Sequence, residues 1–235
     1  MFVLAIDRVI ILDDVVAIDI SSSLSSSTST LTSALAVVNS PIAPPPSSSP
    51  PPQIDFDSRK KGDVLNDCLM TVDGTDFRIP QQGEAKPGNA FASHKYGGKS
   101  AFRYKLGVSI LGGDLVWIQG PYPAGKYTDI SIFCKVLCNF LDPGERVEAD
   151  KGYEGHPDKI KCPSNPANPP ENKAMQGRVR ARHETLNGRL KAWGILSQTY
   201  RHDILRHGDI FRACAIVTQL GIDSGEKLFD VEYGD

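Results

Sequence analysis

Four acidic side chains stand where oxygen-ligand chemistry could be run: Asp73, Asp129, Asp150 and Glu184. Cutting a phosphodiester requires an activated water and a stabilised leaving oxygen. Two Mg²⁺ ions roughly 3.5–4 Å apart supply both, and they need several carboxylates to hold them. Such hard cations favour the oxygens of Asp and Glu over His or Cys. Arg178, Arg180, Arg182, Arg189 and Lys191 surround Glu184, and Lys95 lies upstream; these are candidate contacts to DNA phosphates. Each piece also has a plain structural reading. Asp73-Gly74 is a common turn dipeptide, Glu184 one turn from Arg180 can be an ion-pair partner, and a run of charge is usually a solvated face. On residue types alone the plain structural reading outweighs the metal site.

The elements that would position these acids follow from periodicity. The run 68–72 predicts a buried strand closed by a turn at Asp73-Gly74. Phe102, Tyr104, Leu106, Val108 and Ile110 alternate as a period-two strand, Gly112-Gly113 turns it, and 115–118 returns as its partner. A loop covers 120–125. Ile130, Phe133, Val136, Leu137 and Phe140 predict a helix over 129–140 with Asp129 or Thr128 as its N-cap. A short strand over 146–150 ends on Asp150, and 154–172 is Pro-rich and irregular. Met175, Val179, Leu186, Leu190 and Trp193 mark a long helix over 174–196, and His183 falls on its core stripe. A last helix spans roughly 209–220. This order predicts an α/β layered domain with a mixed sheet. Asp73 and Asp150 would lie at strand ends, where functional groups gather in such sheets.

The chain has 235 residues, with 26 Lys/Arg against 28 Asp/Glu and 40% hydrophobic residues. That excludes a collagen, a wholly disordered chain and a disulfide-stapled miniprotein. The net charge of −2 hides a segregation: residues 173–212 carry nine bases against three acids, while 1–52 carry one base against four acids. Of the 32 residues from Ser21 to Pro52, 12 are Ser and 7 are Pro. Such a stretch buries too little apolar surface to offset its ordering entropy. The expected organisation is an N-terminal segment over 1–20 that forms a strand or a short helix, a Ser/Pro-rich disordered linker over 21–62, and one domain over 63–235. The five cysteines are odd in number and form no C-x-x-C pair, which points to reduced thiols inside a cell. A zinc module built from His156, Cys162, His202 or His207 fits no standard ligand frame. No segment reads as an export signal or a membrane span.

Several strings carry a family resemblance. Val72-Asp73-Gly74-Thr75-Asp76-Phe77-Arg78-Ile79 resembles the first-aspartate motif of DDE transposases of the Harbinger and IS5-like group. Ser93-His94-Lys95 followed by 102–110 is similar to that family's second strand. Gly120-Pro121-Tyr122-Pro123-Ala124-Gly125 with Asp129-Ile130 is similar to its Pro-x-Gly…Asp element. Ala149-Asp150-Lys151-Gly152-Tyr153 matches the second-aspartate motif, and 180–191 the glutamate helix. The resemblance covers roughly residues 66–235. It implies an RNase H-like mixed sheet flanked by helices, with Asp73, Asp150 and Glu184 as a catalytic triad for two-metal endonuclease or transposase chemistry. It further implies Asp129 as an additional metal-binding acid, Mg²⁺ or Mn²⁺ as cofactor, DNA as substrate and a nuclear location. Family members usually carry a DNA-reading segment where this chain has its Ser/Pro-rich stretch. A separate DNA-recognition protein is therefore among the expected partners, and a homodimer is expected beside it. The rival expectation is a catalytically inactive, transposon-derived DNA-binding or interaction protein.

Overall fold

A computed structural model describes residues 6–12, 15–20, 54–61, 68–84, 86, 88–162 and 170–229, with backbone alone for 6–20 and 170–176. The chain divides into two units, 1–51 and 52–235. In the first, β1 (Ile6–Leu12) pairs antiparallel with β2 (Val15–Ile20), so the N-terminal segment takes the strand option twice. The Ser/Pro-rich linker from 21 to 53 lies outside the described residues. Residues 54–61, which the sequence places in that linker, form a 3₁₀ turn over Phe56–Lys60 within the second unit. Its Arg59 is buried against Glu145.

The second unit is built on a five-stranded mixed sheet of order β5-β4-β3-β6-β7. Its strands are β3 (Cys68–Arg78), β4 (Ala101–Ser109), β5 (Leu115–Pro123), β6 (Arg146–Ala149) and β7 (Ile160–Lys161). The first three run antiparallel as a meander, and β6 and β7 add parallel to β3. This is the RNase H-like order, with the first strand of the domain at its centre. The helices are α1 (Asp129–Lys135), α2 (Pro170–Ala192), α3 (Gly194–Ser197) and α4 (His207–Asp223).

Two layers cover the sheet. Met70, Val72, Val147 and Ala149 pack with Phe133 and Leu137 from α1 and the turn after it. Thr71 and Asp73, one residue out of phase on β3, face α2 instead, where they meet His183 and Asn187. The period-two pleat thus turns Asp73 toward the α2 layer. Because helices lie on both faces, β4 is buried almost throughout from Tyr104 onward rather than on alternate residues.

Several boundaries differ from the sequence reading, the long helix among them, which runs Pro170–Ala192 and not 174–196. Asp73-Gly74 is not a turn: β3 runs on to Arg78, paired with β4 as far as Ala101. β5 continues through Gly120-Pro121 to Pro123, into the stretch expected as a loop. The helix begun at Asp129 becomes 3₁₀ after Val136. Thr128, not Asp129, caps it, accepting from the Ser131 N–H, a device typically worth about 1 kcal/mol.

Candidate active site

Parallel pairing of β3 with β6 ends at Val72–Ala149. Asp73 and Asp150 are the next residue on each strand, so adjacent strands deliver two carboxylates to one level of the sheet. Asp150 leaves the sheet into a 3₁₀ turn over Lys151–Tyr153, and its Oδ1 accepts the Gly152 N–H at 2.9 Å. Its carbonyl accepts the Cys162 thiol at 3.2 Å. Burial and then the neighbouring Asp73 charge raise the Asp150 carboxyl above its ordinary value.

Across these strand ends lies α2. Thr71, Asp73, Glu148, Asp150, Arg180, His183 and Glu184 share the lining of one cavity of about 400 Å³. The three acids of the expected triad therefore meet in one pocket. Asp73 is held on both oxygens: Oδ1 takes the Gly74 N–H at 2.6 Å, and the Asn187 side-chain amide donates to Oδ2 at 3.4 Å. His183 is the packed, hydrogen-bonded histidine its stripe predicts, with Nδ1 2.9 Å from the Thr71 hydroxyl. Burial pulls its pKa down to about 4, so the ring is neutral. Its Nε2 has no hydrogen-bond partner among the described residues.

Asp129 does not line the cavity. It lies on the α1 side, paired with the Lys105 ammonium and with Arg103 Nη1 at 3.4 Å. Lys105 is 1% exposed and also donates to the Tyr153 hydroxyl at 2.9 Å. Burial lowers its pKa and the Asp129 carboxylate opposes that shift. Arg103 in turn grips buried Asp76 through Nε at 2.8 Å and Nη2 at 3.1 Å. Burial alone would raise Asp76, but these bonds and that of Ser93 hold it below the usual carboxylate range. The sequence singled out neither Lys105 nor Asn187. The signal for Asn187 was its helical spacing of three from Glu184 and four from His183.

The basic residues divide. Arg178 and Arg180 are exposed, as is Lys95, whose ammonium donates to the Gly74 carbonyl at 2.6 Å. Arg182 is corrected: it is 1% exposed and donates to the Ser109 carbonyl at 3.0 Å and to that of Ile110, so it buttresses the β4–β5 turn and cannot reach a phosphate. The half-buried Arg189 holds the carbonyls of Glu226 and Lys227, and Lys191 is half-buried.

A family model described as DDE superfamily endonuclease matches residues 72–219. The chain belongs to the DDE superfamily endonucleases. The match begins one residue before Asp73 and takes in Asp129, Asp150 and Glu184. Comparison with curated proteins and with solved structures gave no match. Endonucleases of this superfamily act on DNA and use divalent metals. Here the donor set fits a cation in part. Asp73 and Asp150 are hard oxygen ligands whose mutual repulsion a cation would relieve. Yet no three His, Cys, Asp or Glu side chains among the described residues stand close enough to hold one. No helix among the described residues is long and apolar enough to cross a membrane.

Proposed function

We propose that this DDE endonuclease domain cleaves or transfers DNA phosphodiesters at the cavity shared by Asp73, Asp150 and Glu184. The observation that carries the reading is the placement of these three acids around one pocket. Asp73 and Asp150 would hold a divalent cation, Mg²⁺ or Mn²⁺, with Glu184 supplying a further oxygen from α2. When bound, such cations polarise the scissile phosphate and activate the attacking water, and a two-ion site also stabilises the leaving oxygen. The protein's own part is positioning. Asn187 and the Gly74 N–H fix Asp73, Cys162 and Gly152 fix Asp150, and Arg180 brings positive charge to the lining. Partnership with a separate DNA-recognition protein, self-association and nuclear residence belong to the same proposal.

The test is nicking of supercoiled plasmid by the full chain with Mn²⁺ or Mg²⁺, beside Asp73→Asn, Asp150→Asn and Glu184→Gln. Metal-dependent nicking that all three substitutions abolish supports the reading. The second reading is a catalytically inactive DNA-binding protein of transposon origin. It is favoured by the absence, among the described residues, of a three-ligand cluster. DNA binding without nicking under any divalent metal would decide for it.

A further inference from the structure

Lys105, the lysine of β4, is 1% exposed. Its cross-strand partner is Gly74, the residue after Asp73. A Cβ on Gly74 would lie 2.5 Å from Lys105 Nζ and 3.2 Å from Asp129 Oδ1. A Cβ on Gly152, two residues after Asp150, would lie 3.2 Å from Asp129 Oδ2. The Lys105–Asp129 pair is therefore wedged against the backbone that presents each aspartate, in room left by two missing side chains. The Tyr153 hydroxyl closes the ammonium from the third side.

We propose that Lys105 is a tethered counter-cation that balances the site's acids and holds down its affinity for a divalent metal. The inference rests on the proposed carboxylate metal site and adds what sets its strength. The ammonium's charge acts on both Asp73 and Asp150, so it repels an incoming cation, and burial in a low dielectric keeps that repulsion from being screened. The same ammonium pairs with Asp129 Oδ1, and that carboxylate neutralises Lys105. The two residues act on metal binding with opposite sign. Removing the lysine charge tightens it; removing the Asp129 charge leaves Lys105 unopposed and weakens it.

Calorimetric titration of the full chain with Mn²⁺ reads both effects without any need for turnover. Lys105→Met, which keeps the length of the buried stem, is expected to bind about tenfold tighter than wild type, equivalent to about 1.4 kcal/mol. Asp129→Asn is expected to bind at least threefold more weakly. A purely structural role would make both variants bind more weakly, and that result overturns the proposal, as does unchanged affinity in Lys105→Met. Lys105→Gln, whose head can still bond Tyr153, replaces Lys105→Met if the latter does not fold. If neither folds, unchanged or tighter binding in Asp129→Asn overturns the proposal. The Asp73→Asn/Asp150→Asn variant separates the two claims. Wild-type binding that survives in it sinks the carboxylate site and the inference together. Binding that it abolishes, with no gain in Lys105→Met, sinks the inference alone. No binding in either wild type or Lys105→Met sinks both.

Discussion

Asn187 on α2 donates its side-chain amide to Asp73 on β3 at 3.4 Å, joining two motifs 114 residues apart. The amide is buried and sits one turn beyond Glu184, so a single helix both presents the third acid and orients the first. Loss of such supporting hydrogen bonds around metal-binding groups typically costs about 10- to 100-fold in affinity or activity. Asn187→Ala is expected to lower kcat for nicking by about tenfold with KM for DNA nearly unchanged. A rise in KM with kcat intact would mean that Asn187 serves DNA binding instead.

Asp150 is a site residue held at a cost to the fold. Its carboxyl is raised by burial and by Asp73, so its ionised form is disfavoured in the native state at neutral pH. Asp150→Asn is therefore expected to raise the urea midpoint at pH near 7 while abolishing nicking. Mn²⁺ should stabilise the wild type and leave the variant unaffected. A variant less stable than wild type would show that the Asp150 bonds to Gly152 outweigh its repulsion from Asp73.

Much of this was legible in the sequence, and the failures have definite causes. The α/β class, the antiparallel meander, the long helix and the meeting of Asp73, Asp150 and Glu184 followed from periodicity and motif strings. The Asp73-Gly74 turn did not form because Gly74 is needed for close approach of Lys105, not for a bend. Arg182 looked like its exposed neighbours because charge alone does not reveal which helical residue faces the β4–β5 turn. The pairing of Asp129, at the start of α1, with Lys105 and Arg103 is a tertiary contact that a list of acids does not show. The two-residue β7 lay in a Pro-rich stretch too short to show a period.

Acid sensitivity follows from two buried histidines. Burial pulls His183 and His207 from 6.5 to about 4. The unfolded chain takes up these protons near pH 6.5 and the native state only near 4. Stability therefore falls as pH drops through that window, by on the order of 3 kcal/mol per histidine at most. Asp76, whose carboxyl is lowered, loses its contribution only below its unfolded value of 3.8. Asp150, raised, works in the opposite sense and offsets part of the loss. Urea midpoints at about pH 7.5 and about pH 5 should show the drop, and His207→Phe should remove roughly half of it. Equal midpoints at the two pH values would exclude neutral buried histidines as the cause.

The last prediction concerns where the folded unit begins. Arg59 precedes every motif of the family match, yet it is 1% exposed and forms a bidentate pair with Glu145 at 2.8 and 3.0 Å. Glu145 immediately precedes β6, so this pair anchors the segment that leads into Asp150. Removing one partner of a buried ion pair leaves the other charge unsatisfied and typically costs about 3–5 kcal/mol. Arg59→Ala is expected to lower the unfolding free energy by that order in urea titration, and a chain starting at residue 62 should suffer a similar loss. Arg59→Ala with wild-type stability would mean that the 54–61 turn is an appendage and that the unit begins at β3.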